Sequence, residues 1–251
     1  MPILREARDM SKIIAVCGAP SSGKTTSALK IAQEIYLRGN CSILFISPDT
    51  NTPALSYLFP RRKDTDLFSL GGALDKTSIV YEDILKQTVT TDSMKNFGFL
   101  GLKVGENKYS YAKPTEDKVR EFLVACSQVV SFVVVDCSSN FDDLVSEVAM
   151  REANVNIQLI SPDLRSMGYY SAYEEKYNAI ADKCIKVINL MDNDIFLPIE
   201  EVKTHFNGVD FILPYCRALK QQAITGTLPE RISDSKYRTV CNNIAKAVLN
   251  I

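Results

Sequence analysis

Residues Gly18 to Thr25 read Gly-Ala-Pro-Ser-Ser-Gly-Lys-Thr and satisfy G-x-x-x-x-G-K-[ST] throughout. The apolar run Ile13 to Cys17 precedes them, and a helical pattern follows from Lys24. A strand that delivers a glycine-containing turn presents backbone N–H groups to a phosphate. A helix starting at the same point adds unpaired N–H groups and a partial positive charge. Gly18, Ser21, Ser22, Gly23, Lys24, Thr25 and Thr26 are therefore the expected phosphate-binding residues. Lys24 is expected to reach the terminal phosphates, and the Thr25 hydroxyl to hold Mg²⁺. The pattern predicts binding of a nucleoside triphosphate.

Two acids extend this site. Phe132 to Val135 form a β-branched, apolar run ending in Asp136. A carboxylate at the end of such a strand suits the Mg²⁺ side of a phosphate site, because a hard cation wants oxygen ligands. Asp49 follows a second apolar run, in Ser47-Pro48-Asp49-Thr50. It is placed either to orient the water that attacks a γ-phosphate or to form a turn after proline.

The elements that must hold these residues alternate along the chain. Strand-like runs fall at Lys12–Cys17, Cys41–Ile46, Phe97–Val104, Phe132–Asp136, Asn156–Ile160, Cys184–Asn189 and Phe211–Leu213. Helical patterns fall at Lys24–Arg38, Ile79–Gln87, Glu116–Ser127, Asp142–Glu152, Tyr169–Ala181, Ile199–Phe206 and Lys236–Leu249. Gly39-Asn40 reads as the stop of the first helix. This alternation predicts an α/β fold: three layers, α/β/α, around a mostly parallel central sheet, with ligands at the carboxyl ends of the strands. Thr52 to Pro114 is the least regular stretch.

The 251 residues suit one large α/β domain or, less readily, two small ones; with the phosphate-loop motif the expectation is a single P-loop NTPase domain over 1–251. Hydrophobic residues make up 46% and charged residues 24%, an ordinary balance for a globular core. The net charge of −1 gives no global footprint for nucleic acid or anionic membrane. Seven cysteines with no C-x-x-C pair argue against a zinc or disulfide framework and for a reducing, cytoplasmic setting. No apolar run reaches transmembrane length.

The order of these motifs resembles the MinD/ParA group of P-loop ATPases (the SIMIBI class), including its CpaE and TadZ type of secretion and pilus proteins. The likeness runs from about Lys12 to the C-terminus, with Ala54 to Thr115 unmatched. It implies ATP and Mg²⁺ as ligands, Lys24 and Asp49 as catalytic residues, and Thr25 with Asp136 at the metal. Gln158 to Ser166 resembles the group's strand ending in a Pro-Asp turn. Val187-Ile188-Asn189 resembles the strand whose terminal Asn reads adenine. Leu213-Pro214-Tyr215, then Ala223 and Gly226, resemble the segment bordering the base, which makes Asn189 and Pro214 nucleotide-contacting residues. The resemblance also implies ATP/ADP-dependent homodimerisation and a protein partner from a partition, conjugation, secretion or pilus machine. A cytoplasmic protein recruited by a partner to a membrane or pole would follow.

The chain departs from that group in two places. The lysine that directly follows the first glycine of the group's loop is replaced by Ala19, followed by Pro20. Losing a cation there removes charge stabilisation of the transferring phosphoryl group. The first acid of the group's second-strand motif is replaced by Ser47. Hydrolysis is therefore expected to be slow or partner-stimulated. An adaptor with little hydrolysis is the alternative, as is a small-molecule kinase or ligase on the same scaffold. Arg61-Arg62-Lys63 reads as a solvated loop more readily than as a DNA contact. His205, the only histidine, lies away from every motif. Val240, Ile244, Val248 and Leu249 are expected to pack on the domain rather than on a membrane. Tyr169, Tyr170, Tyr173 and Tyr177 are expected to pack along one helix face.

Overall fold

A computed structural model describes residues 11–39, 41–190 and 198–250 of the chain. The first half runs β1 (Lys12–Gly18), α1 (Lys24–Gly39), β2 (Ile43–Ser47), α2 (Ala54–Leu58), α3 (Leu70–Leu74), α4 (Tyr81–Gln87), β3 (Val89–Thr91) and β4 (Met94–Gly101). Next come α5 (Glu116–Val129), β5 (Phe132–Asp136), α6 (Leu144–Glu152), β6 (Val155–Ile160), α7 (Leu164–Ala172) and α8 (Glu174–Asn178). The chain closes with β7 (Cys184–Asn189), α9 (Ile199–His205), β8 (Phe211–Leu213), α10 (Arg217–Thr225) and α11 (Ser235–Leu249).

The strands form an eight-stranded sheet in the order β3-β4-β2-β5-β1-β6-β7-β8. Every neighbouring pair is parallel except β3 with β4. β1 lies between β5 and β6. From β1 the chain winds through α1 to β2 on one side, whereas from β5 it passes through α6 to β6 on the other. The carboxyl end of β1 is thus the place where the winding reverses, and such a point leaves a crevice for ligands.

Alternation along each strand feeds the two outer layers. Ile14 and Val16 of β1 join a core with α1, α2, α10 and α11, whereas Ala15 and Cys17 join a second core with α3 to α9. Burial on both faces explains why the central strands read as unbroken apolar runs. Side-chain caps fix several helix starts. Asp143 accepts from the Ser146 N–H at 3.0 Å, Asp163 from Ser166 at 2.8 Å and Asp234 from Tyr237 at 2.9 Å.

The structure corrects the sequence reading at several elements. Thr52 to Pro114, the least regular stretch, contains α4 within the expected helical pattern Ile79–Gln87, and besides it α2, α3 and the antiparallel edge strand β3. The last three are too short to display a period. β4 ends at Gly101 rather than Val104, because a turn closed by Glu106 N–H to Lys103 O at 3.2 Å leads into Gly105 at φ 81°. The helix expected over Tyr169–Ala181 begins earlier, at the Asp163 cap, and breaks into α7 and α8 at Tyr173, whose φ and ψ are −118° and 26°. α10 escaped notice because Leu219 is its one buried residue, so it shows almost no apolar face. Ala223 is an exposed residue of α10, and Gly226 is its left-handed cap (φ 69°), where a Cβ would meet Pro60 at 2.3 Å. Those two positions serve helix termination. The Asn40 part of the Gly39-Asn40 stop signal lies outside the described residues.

The expected packing of the C-terminal helix on the domain holds. Ile244 and Val248 of α11 are fully buried against the core that contains α1, with Val240 and Leu249 packed at its edge. Among the described residues no helix is long and apolar enough to cross a membrane. The Arg62 guanidinium lies 5.0 Å from the Phe59 ring and donates to Thr90 O.

Ile244→Ala should therefore cost about 2–4 kcal/mol of unfolding free energy, measured by urea titration. Unchanged stability together with lost vesicle binding would instead assign this helix face to a membrane.

Candidate phosphate site at the carboxyl end of the sheet

The loop after β1 is held by close backbone contact. In register, Gly18 lies beside Leu159 of β6. A Cβ on Gly18 would stand 2.4 Å from Leu159 O, so only glycine lets the loop leave the sheet here. Ser21 (φ 63°) and Gly23 (φ 78°) then take left-handed conformations that fold the loop back to the start of α1. Ser21 does so with a side chain, a strained choice that local structure must hold in place. Ser22 N–H donates to Ala19 O at 3.3 Å, and the Asn189 amide donates to Ser22 O at 2.8 Å.

One cavity of about 740 Å³ opens at this point. Ser21, Gly23, Lys24, Thr25 and Thr26 line it from the loop and α1, and Asp49 and Asp136 line it from the ends of β2 and β5. The structure thus gathers most of the sequence-predicted residues around a single space. Gly18 and Ser22 support the loop without lining that space. Ser22 is buried, and its hydroxyl has no hydrogen-bond partner. Asn189 and Pro214 sit at the adjoining ends of β7 and β8, where Asn189 pairs with Leu213, and neither lines the cavity.

Lys24 points back into the loop. Its ammonium donates to Ala19 O at 3.0 Å and to the Ser139 hydroxyl, which in turn donates to Gly18 O at 3.0 Å. Burial lowers the Lys24 pKa from its ordinary value, against the attraction of Asp136 and Asp49. Asp136 is 3% exposed. Its Oδ2 accepts from the Ser47 hydroxyl at 3.1 Å, while its buried Oδ1 has no partner. Burial pushes the Asp136 carboxyl up to about 6; the Thr25 hydroxyl, Lys24 and Ser47 oppose the rise, and Asp49 adds to it.

Asp49 accepts from Asn51 N–H at 2.8 Å and Thr52 N–H at 3.3 Å, which is the geometry of a turn-forming aspartate. It also faces the cavity, so the two sequence readings of Asp49 are compatible. Ala19 is 1% exposed and packs in the same core as Cys17. The loop therefore turns this side chain inward.

Sequence reasoning missed several residues of the cavity wall. Tyr57 lies beside the Thr25 hydroxyl, and burial raises its pKa. Tyr169 donates to Ser139 O at 3.0 Å and so braces the residue that holds Lys24. Tyr173 joins Tyr169 at the wall, and both rings pack against Phe141. Only the tyrosine spacing hinted at this, and it pointed to packing rather than to the cavity. His205 is exposed at the end of α9 and takes no part.

Thr25 and Asp136 offer hard oxygen donors side by side, with the Asp136 Oδ1 unpaired. That set suits Mg²⁺, which needs few protein ligands when phosphates and water supply the rest. Among the described residues there is no cluster of three or more His, Cys, Asp or Glu for a metal held by protein alone.

No protein-family model matches the sequence, and no curated protein matches it. The structure, by contrast, is similar to several solved ones. A ParA family ATPase from Chlorobium tepidum TLS superposes with a TM-score of 0.74 at 10% identity, covering 94% of this chain and 99% of that one. The septum site-determining protein MinD of Pyrococcus horikoshii OT3, complexed with Mg-ADP, gives 0.72 at 16% identity, over 95% of this chain and 96% of that one. A plasmid partition protein of Borrelia burgdorferi B31 bound to AMPPNP gives 0.71 at 15% identity, over 96% and 99%. The chain has the three-layer P-loop NTPase fold that the ParA and MinD proteins share.

Proposed function

We propose that this chain is a Mg-ATP-binding P-loop ATPase that acts as a nucleotide-dependent switch in positioning or assembling a cellular machine. The observation that carries the reading is the convergence of Lys24, Thr25, Asp136 and Asp49 on one cavity fed by the loop and the start of α1. The bound Mg-ADP and AMPPNP of the MinD and plasmid partition structures support nucleotide as the ligand. We take the whole chain as one such unit, working in the cytoplasm and recruited elsewhere by its protein partner.

In this reading the loop N–H groups and Lys24 bind the β- and γ-phosphates, and Lys24 exchanges its bonds to Ala19 O and Ser139 for phosphate oxygens. Thr25 and Asp136 hold Mg²⁺, which when bound neutralises phosphate charge. Asp49 orients the attacking water. Asn189 and Pro214 flank the adenine. Contacts to the γ-phosphate order the segments around Asp49 and Ser139, and hydrolysis releases them.

The buried Ala19 favours a second reading, an adaptor that binds nucleotide and scarcely hydrolyses it. Among the described residues no lysine lines the cavity besides Lys24. A cation from a partner would then have to complete the site. The same position supports placing the chain near the CpaE/TadZ branch, with an atypical Walker A loop.

Light scattering separates these states. A switch should double in mass with Mg²⁺ and a non-hydrolysable ATP analogue and return to its ADP mass without it. Asp49→Ala should keep the ATP-bound mass while phosphate release stops. Equal mass in both nucleotides would reject the dimerisation switch.

Asp136 supplies a pH-dependent test. Its folded pKa of about 6 lies above the ordinary 3.8. Its share of stability is therefore fully present below pH ~4 and is lost as pH rises through about 6. Asp136→Asn keeps an acceptor for Ser47 and removes the buried charge. The nucleotide-free variant should be more stable than wild type at pH 7.5, by on the order of 2 kcal/mol. The gap should close near pH 4, and Mg²⁺ should no longer strengthen nucleotide binding. A variant that melts at or below wild type at pH 7.5 contradicts the buried-charge account.

A further inference from the structure

The Lys24 ammonium is closed into a ring of neutral partners. It donates to Ala19 O at 3.0 Å and to the Ser139 hydroxyl. That hydroxyl donates onward to Gly18 O at 3.0 Å. The ring therefore joins the first two carbonyls of the phosphate loop to the segment after β5. Ala19 O moves with the loop. Ser139 comes from a different strand end and holds Lys24 only while its own segment stays in place.

α7 fastens that segment. The Tyr169 hydroxyl donates to Ser139 O at 3.0 Å. Its ring lies nearly parallel to Phe141, two residues beyond Ser139, with the planes 16° apart. The next residue, Tyr170, donates to Leu159 O at 2.6 Å, and this is the carbonyl that Gly18 approaches. Two consecutive tyrosines thus grip the chain on both sides of the loop. α7 itself is lightly seated: it buries Ser166 and Tyr170, and Leu164 at its start is exposed.

A lysine ammonium has three donors. Two are taken in the empty loop, and contact with both a β- and a γ-phosphate also takes two. At least one of the present bonds must then be given up. Ala19 O belongs to the loop that wraps the phosphates, so the bond to Ser139 is the one released. Hydrogen bonds from a charged donor are the stronger kind, and losing this one subtracts from nucleotide affinity.

We propose that Ser139 and Tyr169 are positioning residues that hold Lys24 withdrawn in the nucleotide-free protein, and that α7 thereby sets the affinity of the phosphate site. The inference rests on the nucleotide reading of that site and adds its regulation. A displacement of α7 takes the Tyr169 hydroxyl away from Ser139 O, loosens the Ser139 segment and frees Lys24 for phosphate. Ser139 acts on Lys24 directly, and Tyr169 acts through Ser139, so removing the first has the larger effect.

Two measurements on the full chain test this. Without nucleotide, ¹⁵N NMR of the lysine ammonium groups reads how fast the Lys24 protons exchange with water. Ser139→Ala should speed that exchange about tenfold and Tyr169→Phe about threefold. Calorimetry with Mg²⁺ and a non-hydrolysable ATP analogue should show tighter binding in the same order, by about tenfold and about threefold. Removing a group that merely supports the loop has the opposite sign and weakens binding. Unchanged exchange in both variants, or affinities equal to or below that of the wild type, would overturn the proposal. If the wild type itself binds no nucleotide, the nucleotide reading falls, and the exchange rates alone judge whether Ser139 and Tyr169 hold Lys24. Should Ser139→Ala fail to fold, Tyr169→Phe decides by the same two measurements.

Discussion

The phosphate loop depends on the approach of Gly18 to the carbonyl of Leu159. That contact, which a methyl group would abolish, lets the chain turn across the end of β6 instead of running past it. The rest of the site is fastened to this turn. Ser139 reaches Gly18 O from the end of β5, Lys24 reaches Ser139 and Ala19 O from α1, and Asn189 holds Ser22 O from β7. The end of β5, α1 and β7 thus hold one loop, which the left-handed Ser21 and Gly23 fold back to the start of α1. The sheet supplies the rigidity, and its reversal of winding at β1 supplies the space.

The same burial sets the electrostatics. Desolvation drives Lys24 down and Asp136 up, so each is pushed toward its neutral form, while their mutual attraction pulls both back. Neither charge is fully satisfied by the protein, since Asp136 keeps an unpaired oxygen and Lys24 bonds neutral groups. In the proposed function, a polyphosphate with a divalent cation would supply both missing charges. Ser47 fits this pattern, because a hydroxyl donor beside Asp136 avoids the repulsion that a second carboxylate would create. Ala19 packs inward, and Tyr57, Tyr169 and Tyr173 line the cavity.

The parts of this arrangement that the sequence displayed are those with local signatures. The phosphate loop is contiguous, Asp136 ends an unmistakable apolar strand, and the alternation of strand and helix carried the layer architecture. What stayed hidden depends on tertiary meeting. Ser139 and Tyr169 bear on Lys24 from elements far away in the chain, and no spacing announces them. β3 and α3 are too short for a period, and α10 buries too little to show one. A cavity of about 500 Å³ beside the first stayed hidden for the same reason, since its walls form only when α3, the 107–114 segment and α6 come together.

Isothermal calorimetry of Mg-ADP binding to wild type and to Lys24→Ala tests the cradle most directly. The account predicts one site per chain in the wild type and its loss in the variant, which still unfolds in one cooperative transition. Nucleotide that fails to bind the wild type, or that binds both proteins equally, would contradict it.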